Sequence, residues 1–95
     1  MTTERRAPRR PFVATVEVRE PGAHPQKLKV LDVSPLGCRV SLVSRVKLDT
    51  RVFIRFPGLE AIPAYVCWCE NFEAGLEFEK PIYPAVLSHV MSQFR

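Results

Sequence analysis

A chain of 95 residues has room for one domain and one modest core, and an apolar content of 46% is that of a globular chain, not a disordered one. Residues 1–10 hold four Arg and one Glu and so carry +3 of the net charge of +4, which leaves the rest of the chain close to neutral. That distribution favours a local anionic partner over a broad nucleic-acid face, and no run approaches the roughly 20 apolar residues that a membrane span needs.

The segment Glu4-Arg5-Arg6-Ala7-Pro8-Arg9-Arg10-Pro11 packs four arginines into six residues. Like charges at this density repel, and a core has no use for them, whereas clustered guanidinium groups grip phosphate or the edge of a guanine. Pro8 and Pro11 lack amide donors and bias their neighbours toward extended backbone, so residues 1–11 are expected to form a flexible basic arm ahead of a domain spanning 12–95. Arg9-Arg10-Pro11-Phe12-Val13 weakly matches a twin-arginine export signal, but Glu17, Arg19 and Glu20 interrupt the apolar stretch that must follow, and the chain reads as unprocessed.

From Phe12 to Arg19 the sequence alternates, with Phe12, Ala14, Val16 and Val18 on one face, the pattern of a half-buried strand. The breakers of Glu20 to Pro25 form a loop, and Lys27 to Val33 makes a second strand whose phase slips at Leu31, as a bulge requires. Ser34-Pro35-Leu36-Gly37 suits a tight turn, and Cys38, Val40 and Leu42 mark a third strand. After a connector over 43–50, further strands follow at Arg51–Phe56, at Ile62–Glu70 with Val66 and Trp68 on one face, and at Ala74–Glu79. The period then changes. Tyr83, Val86, Leu87, Val90, Met91 and Phe94 recur at three- and four-residue steps, which predicts an amphipathic helix over 83–94 with Pro84 in its first turn. Six short strands and one helix predict a mainly all-β fold, a six-stranded antiparallel barrel with a C-terminal helix.

An arginine cluster just before the first strand, an Asp-x-Ser-x-x-Gly turn at Asp32, Ser34 and Gly37, and a closing Gly75-Leu76-Glu77-Phe78 strand resemble the PilZ domain over nearly the whole chain. The resemblance implies a six-stranded barrel that binds the bacterial second messenger cyclic di-GMP and signals to a protein partner in the cytoplasm. Its first motif, Arg-x-x-x-Arg, fits Arg5 and Arg9. The longer form, Arg-Arg-x-x-x-Arg, fits Arg5, Arg6 and Arg10, and is favoured because Arg10 lies closest to the anchoring strand. The resemblance admits one bound nucleotide or an intercalated pair.

The chemistry agrees with this reading. Arginine pairs bidentately with phosphate oxygens or with guanine O6 and N7, Asp32 can accept from guanine N1 and N2, Ser34 offers a hydroxyl, and Gly37 allows close backbone approach. Other readings compete. The arm also fits a solvated tail or a non-specific nucleic-acid grip, although no exposed aromatic stripe accompanies it. The Asp32 turn alone fits a turn and nothing more. A PilZ-like adaptor that binds no nucleotide is the second functional reading. Cys38, Cys67 and Cys69 show no disulfide framework or zinc spacing and read as reduced thiols; His24 and His89 have no nucleophile at a telling distance; Glu70, Glu73, Glu77 and Glu79 read as a solvated face. Neither an enzyme nor a cofactor or metal site is expected. Trp68 is expected in the core, and Met91 with Phe94 offers a contact for a partner or a homodimer.

Overall fold

The computed structural model describes residues 10–92, with side chains from Ala14 onward; Arg5, Arg6, Arg9 and Phe94 lie outside the described residues. The elements are β1 (Arg10–Arg19), β2 (Gln26–Ser34), β3 (Gly37–Ser41), β4 (Arg51–Arg55), β5 (Ile62–Glu70), β6 (Glu73–Phe78) and α1 (Pro84–Ser92). The strands close into a barrel in the order β1-β2-β3-β6-β5-β4, every neighbouring pair antiparallel. The expected six-stranded antiparallel barrel with one C-terminal helix is the fold found.

Alternation drives the closure. Val16 of β1, Leu28 and Val30 of β2, Cys38 and Val40 of β3, Val52 and Ile54 of β4, Ala64 and Val66 of β5, and Ala74, Leu76 and Phe78 of β6 all point inward and are buried. Charged and polar neighbours take the outer face, as the period of two demands. Phe56 just past β4 meets Phe78 edge-to-face, with ring centroids 6.2 Å apart. Ile82, Leu87 and Val90 add the exit segment and α1 to the same core. The helical apolar face is narrower than the periodicity implied, since Tyr83 and Val86 are exposed and Tyr83 precedes the helix.

Register shifts bend the sheet. One lies in β2 between Val30 and Asp32, where the sequence phase slips at Leu31; a second lies in β1 between Pro11 and Ala14, and a third in β5 between Val66 and Trp68. The first strand also begins earlier than its alternation indicates, so Arg10 and Pro11 belong to β1 and to the barrel.

Candidate functional site

Asp32 lies near the end of β2, two residues before the turn that leads into β3. Its flanking residue Val33 is fully buried, whereas the Asp32 side chain keeps 14% of its surface exposed, so it opens onto the outer face of the barrel. Across the β1–β2 ladder, Pro11 stands opposite Asp32 and Arg10 opposite Val33. The base of the arginine segment is therefore a backbone neighbour of the Asp32 turn.

The turn itself is rigid for identifiable reasons. The Leu36 backbone N–H donates to Ser34 Oγ at 3.2 Å, closing the turn on its own side chain. The Phe78 N–H donates to the Leu36 carbonyl and the Ile82 N–H to the Pro35 carbonyl, each at 2.8 Å. Two carbonyls that a free turn would leave to water are thus tied to the end of β6 and to the segment that leads from it into α1. Ser34 is buried at 2% exposure and Gly37 is buried as well, so of the three motif residues Asp32 is the one that keeps exposed surface. A Cβ at Gly37 would overlap the carbonyl oxygen of Leu76, so the glycine is required by the close approach of β6, and a role in admitting a ligand's backbone contact is secondary to that.

Arg39 joins the site from β3. It lies between the fully buried Cys38 and Val40 and points outward, with Asp32 as its cross-strand partner. Its Nε is 3.0 Å from Asp32 Oδ2, and its Nη1 donates to Glu73 Oε1 at 3.4 Å. The buried Nε–H is not aimed along the line to Asp32, so that contact is an ion pair in distance without a well-formed hydrogen bond. Arg39 thereby holds Asp32 and Glu73 on one surface while its guanidinium stays partly open to water.

The row continues. Arg39 pairs with Gly75 of β6, and Gly75 with Trp68 of β5. Ala74 and Leu76 on either side of Gly75 are buried, so the Gly75 position faces outward, and a Cβ there would run into the Trp68 indole. Trp68 is thus a half-buried residue lying over Gly75 on the outside of the barrel, which corrects its expected place in the core. The physical cause is the register shift before it, which carries Trp68 off the inward face that Val66 occupies. Backbone partners Pro11, Asp32, Arg39, Gly75 and Trp68 form one continuous line across five strands. Arg39 and Trp68 are absent from the sequence-derived site. The one signal for Trp68 was a glycine inside the β6 pattern, since an interior strand glycine marks a close approach.

Elsewhere, Cys67 and Cys69 are exposed, with the Cys67 thiol donating to the Gly75 carbonyl at 3.3 Å, and among the described residues no three His, Cys, Asp or Glu side chains gather as metal ligands. A hollow of about 140 Å³ opens beneath the loop that joins β1 and β2, but Val40 and Ala74 along its inner wall have no exposed surface, so it is a shallow dimple at the barrel mouth; none of the motif residues line it. Among the described residues no helix is long and apolar enough to cross a membrane.

A closed six-stranded antiparallel barrel with a C-terminal helix and a charged row on its outer wall defines the architectural class. The PilZ domain family model matches residues 3–91, and the chain belongs to that family. Its fold is similar to the crystal structure of the PilZ domain of CeSA from a cellulose-synthesizing bacterium, with a TM-score of 0.61 at 23% identity over 90% of this chain and 91% of that one. It is also similar to the Bacillus subtilis inhibitor of motility MotI/DgrA, with a TM-score of 0.64 at 17% identity, covering 92% of this chain and 47% of that one. At these identities the likeness is one of fold. No curated protein matches the chain by sequence.

Proposed function

We propose that this chain is a bacterial, cytoplasmic receptor for cyclic di-GMP that signals to a protein partner and catalyses no reaction. PilZ domains are generally receptors of this nucleotide. The observation that carries the reading for this chain is the β1–β2 register, which sets Pro11 against Asp32 and Arg10 against Val33, so that the arginine segment leads directly off the Asp32 turn. Arg5, Arg6, Arg9 and Arg10 would then close over phosphates and guanine edges from one side. Asp32, kept in place by Arg39, receives guanine N–H donors on the other, while Ser34 and Gly37 act by fixing the shape of the turn. Trp68, at the far end of the row, offers a flat apolar surface on which a purine can stack.

The magnitudes are consistent. Charge-assisted hydrogen bonds contribute on the order of 1.5–3 kcal/mol each, and micromolar affinity needs about 8 kcal/mol after the cost of ordering the arm is met. Calorimetric titration with cyclic di-GMP, using wild type and Arg10→Ala with GTP as control, tests the reading. Micromolar binding by wild type, lost in the variant and absent with GTP, is the expected result. No heat from well-folded wild type would overturn it in favour of a PilZ adaptor that works through protein contacts alone.

A further inference from the structure

The hairpin between β5 and β6 turns on Asn71 and Phe72, both in the left-handed backbone region, with φ of 54° and 60°. Positive φ at both central positions is what a two-residue hairpin of this hand needs, and glycine is the unstrained choice at the second. A phenylalanine there is an outlier for a bulky side chain, and it gains no burial in return, since Phe72 is 69% exposed. Its backbone is nevertheless fixed, because the Leu42 N–H donates to the Phe72 carbonyl at 2.7 Å.

Around Phe72 the surface is apolar at its centre and carries both charge signs at its edge. Leu48, 60% exposed, shares an open groove of about 470 Å³ with Phe72, Val46, Arg45 and Glu70. Arg45 and Glu70 have no ion-pair partner among the described residues. Glu70 also stands directly opposite Glu73 in the β5–β6 ladder, a like-charge pairing, and of these two carboxylates Arg39 pairs with Glu73 and not with Glu70. The groove therefore holds a carboxylate that lacks a cation, a guanidinium that lacks an anion, and a strained aromatic side chain held out in water.

A surface that carries apolar groups with one unsatisfied charge of each sign is complementary to itself under a two-fold axis. We propose that this end of the barrel is the interface between two copies of the chain, with Phe72 of each copy seated in the groove beside Leu48 of the other and Arg45 of each paired with Glu70 of the other. The strain at Phe72 is then offset in the dimer, where the ring is buried. The inference does not depend on the nucleotide reading, because this hairpin tip lies at the end of β3 remote from the Asp32 turn.

Sedimentation of the full chain over micromolar to millimolar concentrations tests it. Wild type should pass from monomer to dimer in that range. Phe72→Gly should weaken dimerisation roughly tenfold or more while its denaturation midpoint as a monomer does not fall, because glycine relieves the turn. Phe72→Asn, which also tolerates positive φ, guards against a folding failure of the glycine variant and should behave alike. Arg45→Glu should abolish the dimer, and Arg45→Glu combined with Glu70→Arg should restore it. A wild type that remains monomeric at millimolar concentration, or a dimer indifferent to Phe72→Gly and Arg45→Glu, would overturn the proposal.

Discussion

Gly37 and Gly75 both lack a side chain because something else occupies the space, yet the occupants differ in kind. At Gly37 the occupant is the backbone carbonyl of Leu76, hydrogen-bonded strand that has nowhere to go; at Gly75 it is the Trp68 indole, a side chain on the outer wall with water beyond it. Gly37→Ala should therefore force β3 and β6 apart and cost about 1–3 kcal/mol, a large fraction of the stability of a domain this size. Gly75→Ala should cost less and instead push the indole aside, which the fluorescence of the chain's single tryptophan reports. Urea unfolding of the two variants beside wild type checks the order; an equal or larger loss for Gly75→Ala would mean that Trp68 is held as firmly as the backbone. The same comparison explains why Trp68 was misplaced from sequence. Val66 and Trp68 share a face in an unbroken strand, and only the partner glycine hinted that the indole needed room elsewhere.

At the level of strands, the fold was legible and the site only partly so. Alternation identified all six strands and, Trp68 apart, placed the inward residues whose side chains are described, because burial imposes a period of two that survives in the residue types. The Asp32, Ser34 and Gly37 turn was legible for a similar reason, as turn chemistry is local. What was not legible is register. Were the Val30–Val40 pairing continued without a shift, Asp32 would face Cys38; the one-residue slip brings it opposite Arg39 instead. Were the Val66–Leu76 pairing continued, Trp68 would face Ala74; the slip in β5 brings it opposite Gly75. The slip in β1 likewise sets Pro11, and not Phe12, against Asp32. The charged row is thus assembled by bulges, of which only the one at Leu31 left a mark in the hydrophobic pattern. The turn is also linked to the lead into the helix, since its Pro35 carbonyl holds the amide of Ile82 just ahead of α1 and its Leu36 carbonyl that of Phe78 at the end of β6. A ligand that clamps the turn should slow hydrogen exchange at those two amides, although neither would touch it. Exchange measured with and without cyclic di-GMP checks this, and unchanged rates at both amides alongside saturated binding would show that the turn was already as rigid as the core.

For the whole molecule, small size makes the functional reading easy to test. A domain of 95 residues buries a modest core, and its stability is a small difference between large opposing terms. A ligand that binds only the folded state, present at about 100 times its Kd at the transition temperature, adds about 2.7 kcal/mol. In a domain of this size each kcal/mol moves Tm by about 4–8 °C, so saturating cyclic di-GMP should raise Tm on the order of 10–20 °C. Arg10→Ala keeps the backbone pairing of Arg10 with Val33 and should leave the unliganded Tm within a few degrees of wild type, while losing most of the ligand-induced rise. That pairing of outcomes separates a lost contact from a damaged barrel. A comparable rise with GTP would make the arginine segment a general anion grip, and a folded wild type whose Tm does not move with cyclic di-GMP would leave the family's fold in place and remove the receptor function from this chain.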